Sequence, residues 1–275
     1  MFKKALLFIP LLIEIMDAHI FIYNCYSTNN HTYINGRLIV EKEIKSDSND
    51  SILKNIIQKA RLLFHSELKN QKVIAKLNST LYTTKSDDEG YFSFEINATS
   101  NLIFLSTEGS NSIEVSPIQY KQPKIGVISD FDDTLIVSNV PKKLKLLLNT
   151  LTKNYKQRRL VTEIANRVKE ILSQNPKAPF IVVSGSPYQL YLPIKNFLNY
   201  HNFPPAIIVL KQFHGNNKDP KNQFKYKVQK IEQLFLQFPS TKWISLAIVA
   251  KKIEISTNTL NRSTPIEYFL TQLES

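Results

Sequence analysis

Ile125-Gly126-Val127-Ile128-Ser129-Asp130-Phe131-Asp132-Asp133-Thr134 is an apolar run that stops abruptly on a cluster of carboxylates followed by a threonine. A run of this length suits a parallel strand covered on both faces. Ligands of open parallel sheets gather outside the carboxyl ends of the strands, so chemistry is expected at its end. Asp130 and Asp132 stand two residues apart there, and two like charges that close do not both ionise cheaply. Either a divalent cation sits between them or one carboxyl keeps its proton. One of the pair can then attack phosphorus while the other carries a proton to the leaving oxygen. The competing reading of Asp-x-Asp-x-Thr is an Asp-rich turn that caps the next helix, and the strand in front of it weighs towards chemistry.

On the carboxyl side of this run, strand and helix alternate. Pro141–Thr152 and Leu160–Leu172 have helical apolar spacing, Phe180–Val183 reads as a second buried strand, and Tyr188–Tyr200 as a helix. Ala206–Leu210, a helix at Phe224–Phe238 and a strand from Lys242 continue the pattern. This order predicts a three-layer α/β/α domain with a parallel sheet over 124–246.

On the amino side the period is two. His19–Tyr26, Tyr33–Val40, Lys72–Leu77, Thr80–Thr84, Tyr91–Ile96, Leu102–Ser106 and Ser112–Val115 read as strands, with one helix at Ile52–Leu68. Ser86-Asp87-Asp88-Glu89-Gly90 reads as a hairpin turn whose glycine takes a positive φ. Its acids offer calcium a site, but a solvated hairpin tip is the simpler reading. A small β-sandwich-like domain is expected over 19–117, followed by a two-proline linker over 118–123.

The N-terminus has a basic start and a short apolar stretch ending near Glu14, too short to span a bilayer. It reads as a signal segment over 1–18 and predicts an exported or periplasmic, membrane-peripheral protein, with a buried first strand or helix as the alternative. The single cysteine, Cys25, excludes an intramolecular disulfide and a cysteine-based metal site. A net charge of +12 suits an acidic partner such as a phosphate ester, an anionic membrane or nucleic acid, or serves solubility alone. Nucleic acid is not expected as a partner.

Ser184 ends the second buried strand, where its hydroxyl and the backbone N–H groups after it can hold a phosphoryl oxygen. Ser186 followed by Pro187 reads as a helix N-cap, and a helix N-terminus is itself an anion site. Lys227 lies on the later helix in a cluster with Lys221, Lys225 and Lys230, where a lysine at the sheet rim can neutralise the reacting groups.

Taken in order, Asp130-x-Asp132-x-Thr134, Ser184 and Lys227 resemble the first three motifs of the haloacid dehalogenase superfamily. The runs Ile128 to Thr134 and Val183-Ser184-Gly185-Ser186-Pro187-Tyr188-Gln189-Leu190-Tyr191, with Tyr226-Lys227 and Phe238-Pro239, narrow the resemblance. They are similar to the catalytic domain of the actin-patch-type phosphatidate phosphatases and their bacterial relatives. The resemblance covers Pro123 to Trp243 and implies a haloacid-dehalogenase-like fold. It also implies Asp130 as nucleophile, Asp132 as acid and base, and Ser184 and Lys227 as phosphoryl ligands. Thr134, Gly185 and Ser186 belong to the substrate-binding side, and Mg²⁺ is held by Asp130 and Asp132. Neither stretch after the first two motifs leaves room for a large cap domain, so an open site is expected. Such a site admits phosphate esters up to phosphatidate in a membrane surface, and Lys142, Lys143 and Lys145 suit an anionic surface.

One part of the pattern is missing. The family closes its metal site with an acidic fourth motif, approximately Gly-Asp-Ser-Gly-x-x-Asp. Here Trp243-Ile244-Ser245-Leu246 begins the right strand, but Ala247-Ile248-Val249-Ala250-Lys251-Lys252 follows, and no aspartate occurs after Asp219. Reading the third base of each codon with the first two of the next, from Leu246–Ala247 onward, permits Gly, Asp, Ser, Gly, Glu, Lys, Asp, Arg, Asp or Asn, Ile and Tyr. A consecutive run of this kind rebuilds the motif in register with the strand, so 247–275 reads as an out-of-frame C-terminus left by one lost nucleotide. The alternatives are a divergent C-terminus on a non-catalytic protein that binds a phosphate ester or anionic lipid, and a phosphatase acting on a soluble ester.

Overall fold

The computed structural model describes residues 18–40, 68–131, 135, 156, 158–211, 220–246 and 266–269. The expected helices at Ile52–Leu68 and Pro141–Thr152, the expected signal segment, Asp132, Asp133 and Thr134 lie outside them, apart from Leu68 and from Ala18, which opens the first strand.

The amino-terminal part consists of two antiparallel-built sheets. In the first, β1 (Ala18–Ser27) pairs with β2 (Thr32–Val40), and β2 with β5 (Tyr91–Ile96). In the second, β3 (Lys72–Leu77), β4 (Thr80–Lys85), β6 (Ile103–Thr107) and β7 (Ile113–Val115) run in the order β4-β3-β6-β7. Period two places Ile34, Leu38, Phe92, Phe94 and Ile96 of the first sheet against Val73, Ala75, Leu77, Ile103 and Leu105 of the second, which makes one shared core. Gly90 takes the expected positive φ, +79°, but the turn is not a hairpin: β4 pairs with β3 and β5 with β2, so residues 86–90 carry the chain from one sheet to the other. Asp87 Oδ1 accepts the N–H groups of Glu89 at 2.9 Å and Tyr91 at 2.8 Å, so this acid closes its own turn.

The segment expected to be a linker contains a short strand, β8 (Ile118–Gln119), which pairs in parallel with β1 through Tyr26 and Ser27. Tyr120 N–H donates to Ser27 O at 2.8 Å. Two prolines interrupt a sheet without preventing a brief pairing between them.

The carboxyl-terminal part is a parallel α/β sheet. Four strands, β11 (Ile207–Lys211), β10 (Phe180–Pro187), β9 (Ile125–Asp130) and β12 (Lys242–Leu246), lie side by side, and β13 (Ile266–Phe269) joins the β12 edge. The chain enters at β9, steps through β10 to β11, then returns to the other side of β9 with β12. The order therefore reverses at β9. Helices α1 (Thr162–Gln174) and α2 (Tyr191–Tyr200) cover the face carrying Val127, Val182, Ile208 and Ile244. Helix α3 (Pro220–Gln237) covers the opposite face, where Ile231 and Leu234 pack with Ile128, Ile181, Val183 and Trp243. Gly126 is required where it stands: a Cβ there would lie 2.5 Å from the ring of Trp243, its register partner on β12.

The two parts are joined by buried contacts. The side chain of Asn24, on β1, exchanges two hydrogen bonds with the backbone of Ile208 on the edge strand β11. The Tyr191 hydroxyl donates to the carbonyl of Tyr23. The rings of Phe21, Tyr23, Tyr91, Tyr188 and Tyr191 pack at this junction.

Candidate functional site

Asp130 is the last residue of β9, the strand at which the sheet order reverses, and its side chain is 6% exposed. In an open parallel sheet the crevice at such a reversal is the favoured ligand position. Alternation places Asp130 on the same face as Ile128, the face covered by α3.

Its neighbour across the ladder is Val183 on β10, and Phe131 N–H donates to Val183 O at 2.9 Å, so the two strand ends are fixed together. Ser184 is the next residue and is 1% exposed. Strand spacing puts it within one ladder step, about 5 Å laterally, of the Asp130 position. The Ser184 Oγ accepts the N–H of Ser186 at 3.0 Å, which orients the hydroxyl at the strand end. Ser129, on the other side of Asp130 in sequence, donates its hydroxyl to the Asp130 carbonyl at 3.0 Å.

Ser186 is not the helix cap that the sequence suggests. Strand β10 runs on to Pro187, whose ψ of 156° is extended, and a 3₁₀ turn at Tyr188–Leu190 precedes α2. The residue before α2 is Leu190, without a side-chain cap. Proline fixes φ at a value that a strand end accepts as readily as a first helical turn, so Ser-Pro does not decide between them. Gly185 and Ser186 thus belong to the extended lip of the sheet beside Asp130.

Lys227 lies on α3, four residues before Ile231 and seven before Leu234, both buried against the sheet. It stands one helical turn before Ile231 along α3. The fold brings Asp130 and Ser184 to one end of the sheet. Asp132 and Thr134 lie outside the described residues.

Residues 125–247 match the family model of the phosphatidate phosphatase APP1 catalytic domain. That match begins at the first residue of β9 and ends one residue beyond β12. It takes in the Asp130, Ser184 and Lys227 positions and stops where the acidic fourth motif is missing from the sequence. The phosphatidate phosphatase APP1 of Saccharomyces cerevisiae is 30% identical over 134 residues, which are 48% of this chain and 22% of the yeast protein. The chain thus spans about a fifth of that relative's length. Among solved structures, a chain of the Pnkp1/Rnl/Hen1 RNA repair complex has a TM-score of 0.36 at 16% identity, over 59% of this chain and 50% of that one. A carbohydrate acetylesterase from Xanthomonas citri has a TM-score of 0.30 at 10% identity, over 92% and 68%.

The donor set for Mg²⁺ is incomplete among the described residues. A hard divalent cation needs several oxygen ligands. The described residues offer the Asp130 carboxylate at this strand end, and no group of three or more His, Cys, Asp or Glu side chains is placed to hold a metal among the described residues. The register that pairs Leu246 with Ser129 carries β12 toward Asp130, but no aspartate follows on that strand. The described residues alone do not make a Mg²⁺ site, and Asp132 lies outside them.

Two features escaped the sequence reading. Asn24 gave a faint signal, a polar residue inside the aromatic run Phe21 to Tyr26, but its partner is 184 residues away. The tyrosines at the junction read as ordinary core. Cys25 is partly buried, and burial pushes its thiol up to about 12.

Proposed function

We propose that this protein is a phosphomonoesterase of the phosphatidate phosphatase type, with its reaction centre at the tip of β9. The observation that carries the reading is a buried aspartate, Asp130, at the reversal point of a parallel sheet, beside Ser184 and on the face of the Lys227 helix, inside the APP1-like segment.

A carboxylate oxygen of Asp130 attacks phosphorus. The bond from phosphorus to the alcohol oxygen breaks, and that oxygen takes a proton from Asp132. Water then gives a proton back to Asp132 and attacks the aspartyl phosphate, releasing inorganic phosphate and regenerating the Asp130 carboxylate. Ser184, oriented by the Ser186 N–H, holds the equatorial oxygens together with the Gly185 N–H, Thr134 and Lys227, and their charge must be balanced for the transfer to proceed. The domain is of the haloacid-dehalogenase type, and its site is open enough for a substrate seated in a membrane surface. Residues 1–18 act as an export signal.

The chain as it stands is impaired, because the carboxylates that would complete a Mg²⁺ site with Asp130 and Asp132 are absent after Asp219. A lost nucleotide near Ser245–Leu246 accounts for this, since the neighbouring frame restores the acidic motif directly after β12. In that frame the sheet edge now formed by Ile266–Phe269 is made from other residues.

Two measurements test this. Sequencing the source gene across the codons for Trp243 to Tyr268 is expected to show one additional base; an unchanged reading would favour a binding protein that has lost its metal. The frame-restored chain is expected to release phosphate from phosphatidate in vesicles faster than from soluble phosphate esters. Equal rates would remove the lipid preference, and Mg²⁺-insensitive binding without turnover would remove the enzyme.

A further inference from the structure

Strand β8 pairs with β1 through Tyr26 and Ser27 alone, and the stretch of β1 before them, residues 22–25, borders a cleft of about 340 Å³. Ile22, Val115 and Ile118 line it from the amino-terminal sheets, and Leu198, Pro205 and Ile207 from α2 and the start of β11. Clefts of about 300–1,000 Å³ with apolar walls and a few fixed polar groups are the usual form of a site for a small organic ligand.

The walls are held in place by contacts of their own. Asn24 ties β1 to β11 through its two bonds with Ile208, and both residues border the cleft. On α2, Tyr191, Lys195, Leu198 and Asn199 follow helical spacing and make one stripe along it. The Tyr191 hydroxyl is anchored on the Tyr23 carbonyl, and the Lys195 ammonium stands 5.7 Å from the centre of the Tyr191 ring. Lys195 and Asn199 are exposed and form the rim. Among the described lining residues, Lys195 is the one charged side chain. The cleft is distinct from the Ser184 pocket: its β11 residues, Ile207 and Ile208, stand level with Ile181 and Val182, whereas Ser184 lies beyond Val183 toward the carboxyl end of β10.

We propose that this cleft binds a single-chain amphiphile with an anionic head group, its tail along the apolar walls and its head at Lys195. The tail leaves water for an apolar lining, which drives binding. The head stays at the exposed rim, where it meets one ammonium and keeps most of its hydration, so its charge is not buried. Two head groups share this chemistry, a fatty carboxylate and the phosphate of a single-chain lipid. The amino-terminal sheets thereby contribute one wall of a binding site of their own, remote from Asp130.

The test is calorimetric titration of the full chain with dodecanoate and with dodecyl phosphate, each below its micelle concentration. Saturable one-site binding of at least one is expected; the tighter of the two identifies the head group, and binding of neither overturns the proposal. Affinity is expected to rise at least about tenfold from the eight-carbon to the twelve-carbon chain of that head group, because each added methylene leaves water; a flat series contradicts an apolar cleft. Lys195→Gln is expected to weaken binding about fivefold, the scale of one exposed ion pair, and Lys195→Arg to keep it. Ala206→Trp, which fills the cleft from the loop before β11, is expected to weaken it at least about tenfold. Both weakened chains should melt as the parent does without ligand. Parental affinity in Lys195→Gln and Ala206→Trp overturns the proposal. Asp130→Asn is expected to bind as the parent does, so this result stands or falls apart from the phosphatase reading; loss of binding there would place the amphiphile at the catalytic end and overturn the assignment.

Discussion

The side-chain amide of Asn24 takes the place of a neighbouring strand for Ile208. Its Nδ2 donates to Ile208 O at 2.9 Å, and its Oδ1 accepts the Ile208 N–H at 2.9 Å. Ile208 lies on β11, the edge of the parallel sheet, so these two bonds satisfy edge groups that would otherwise face the junction unpaired. Nδ2 also donates to Asn35 Oδ1 at 3.1 Å, which ties the arrangement to β2. Replacing Asn24 by alanine orphans both backbone groups of Ile208. The expected cost is about 2–4 kcal/mol, since each buried group left unsatisfied costs about 1–3 kcal/mol. Hydrogen exchange at the Ile208 amide checks it directly, and unchanged protection in Asn24→Ala would contradict the role.

The second tie is the Tyr191 hydroxyl, which donates to the buried carbonyl of Tyr23. Tyr191→Phe removes the donor and leaves the ring, so a loss of about 1–3 kcal/mol is expected from the carbonyl alone. A urea midpoint shift with an unchanged m-value measures it. An unchanged midpoint would mean that water replaces the phenol.

Gly126 and Trp243 are register partners, and the indole occupies the space that a Cβ on residue 126 would need. Trp243 is fully buried and stacked on Phe235 at 4.9 Å, so it has little room to withdraw. Gly126→Ala is expected to destabilise by about 1–3 kcal/mol through overpacking. Trp243→Phe should recover part of that loss in the double variant, and strict additivity would place the strain elsewhere.

His201 follows α2 with its ring 4.4 Å from that of Phe197. Burial first, and the charge of Lys169 second, lower its pKa below 6.5, against an opposing bond to the Arg158 backbone. The folded state thus prefers the neutral ring. The stability this contributes is complete above 6.5 and is lost as the pH falls through the folded value. The melting temperature of the unaltered chain should fall more on acidification through this window than that of His201→Gln. Parallel curves would show that His201 is not linked to folding.

Much of the fold is legible in local pattern. The alternation in Tyr91–Ile96 and the positive φ at Gly90 are legible because each depends on neighbours in sequence, whereas the expected hairpin failed because β4 and β5 find partners in different sheets. The run Ile125–Asp130 likewise reads as a covered strand with a carboxylate at its end. What escaped depends on residues far apart. The brief pairing of Ile118–Gln119 with β1 has no periodic signal in two residues, and the bond from Asn24 to Ile208 has none at all. Ser186-Pro187 misled because φ near −65° serves a strand end and a helix start alike. The strand ends at Asp130 and Ser184 were legible, whereas their placement beside the reversal of strand order needed the sheet.

The most direct test of the central claim is the initial rate of phosphate release from phosphatidate by the frame-restored chain and by the same chain carrying Asp130→Asn. Asparagine keeps the size of the side chain at the tip of β9 but removes the nucleophilic oxygen charge. The variant is expected to melt as the parent does and to lose activity by about 10³-fold or more. A rate within tenfold of the parent in a folded Asp130→Asn chain would contradict the account, because the reaction would then proceed without the residue on which the site is built.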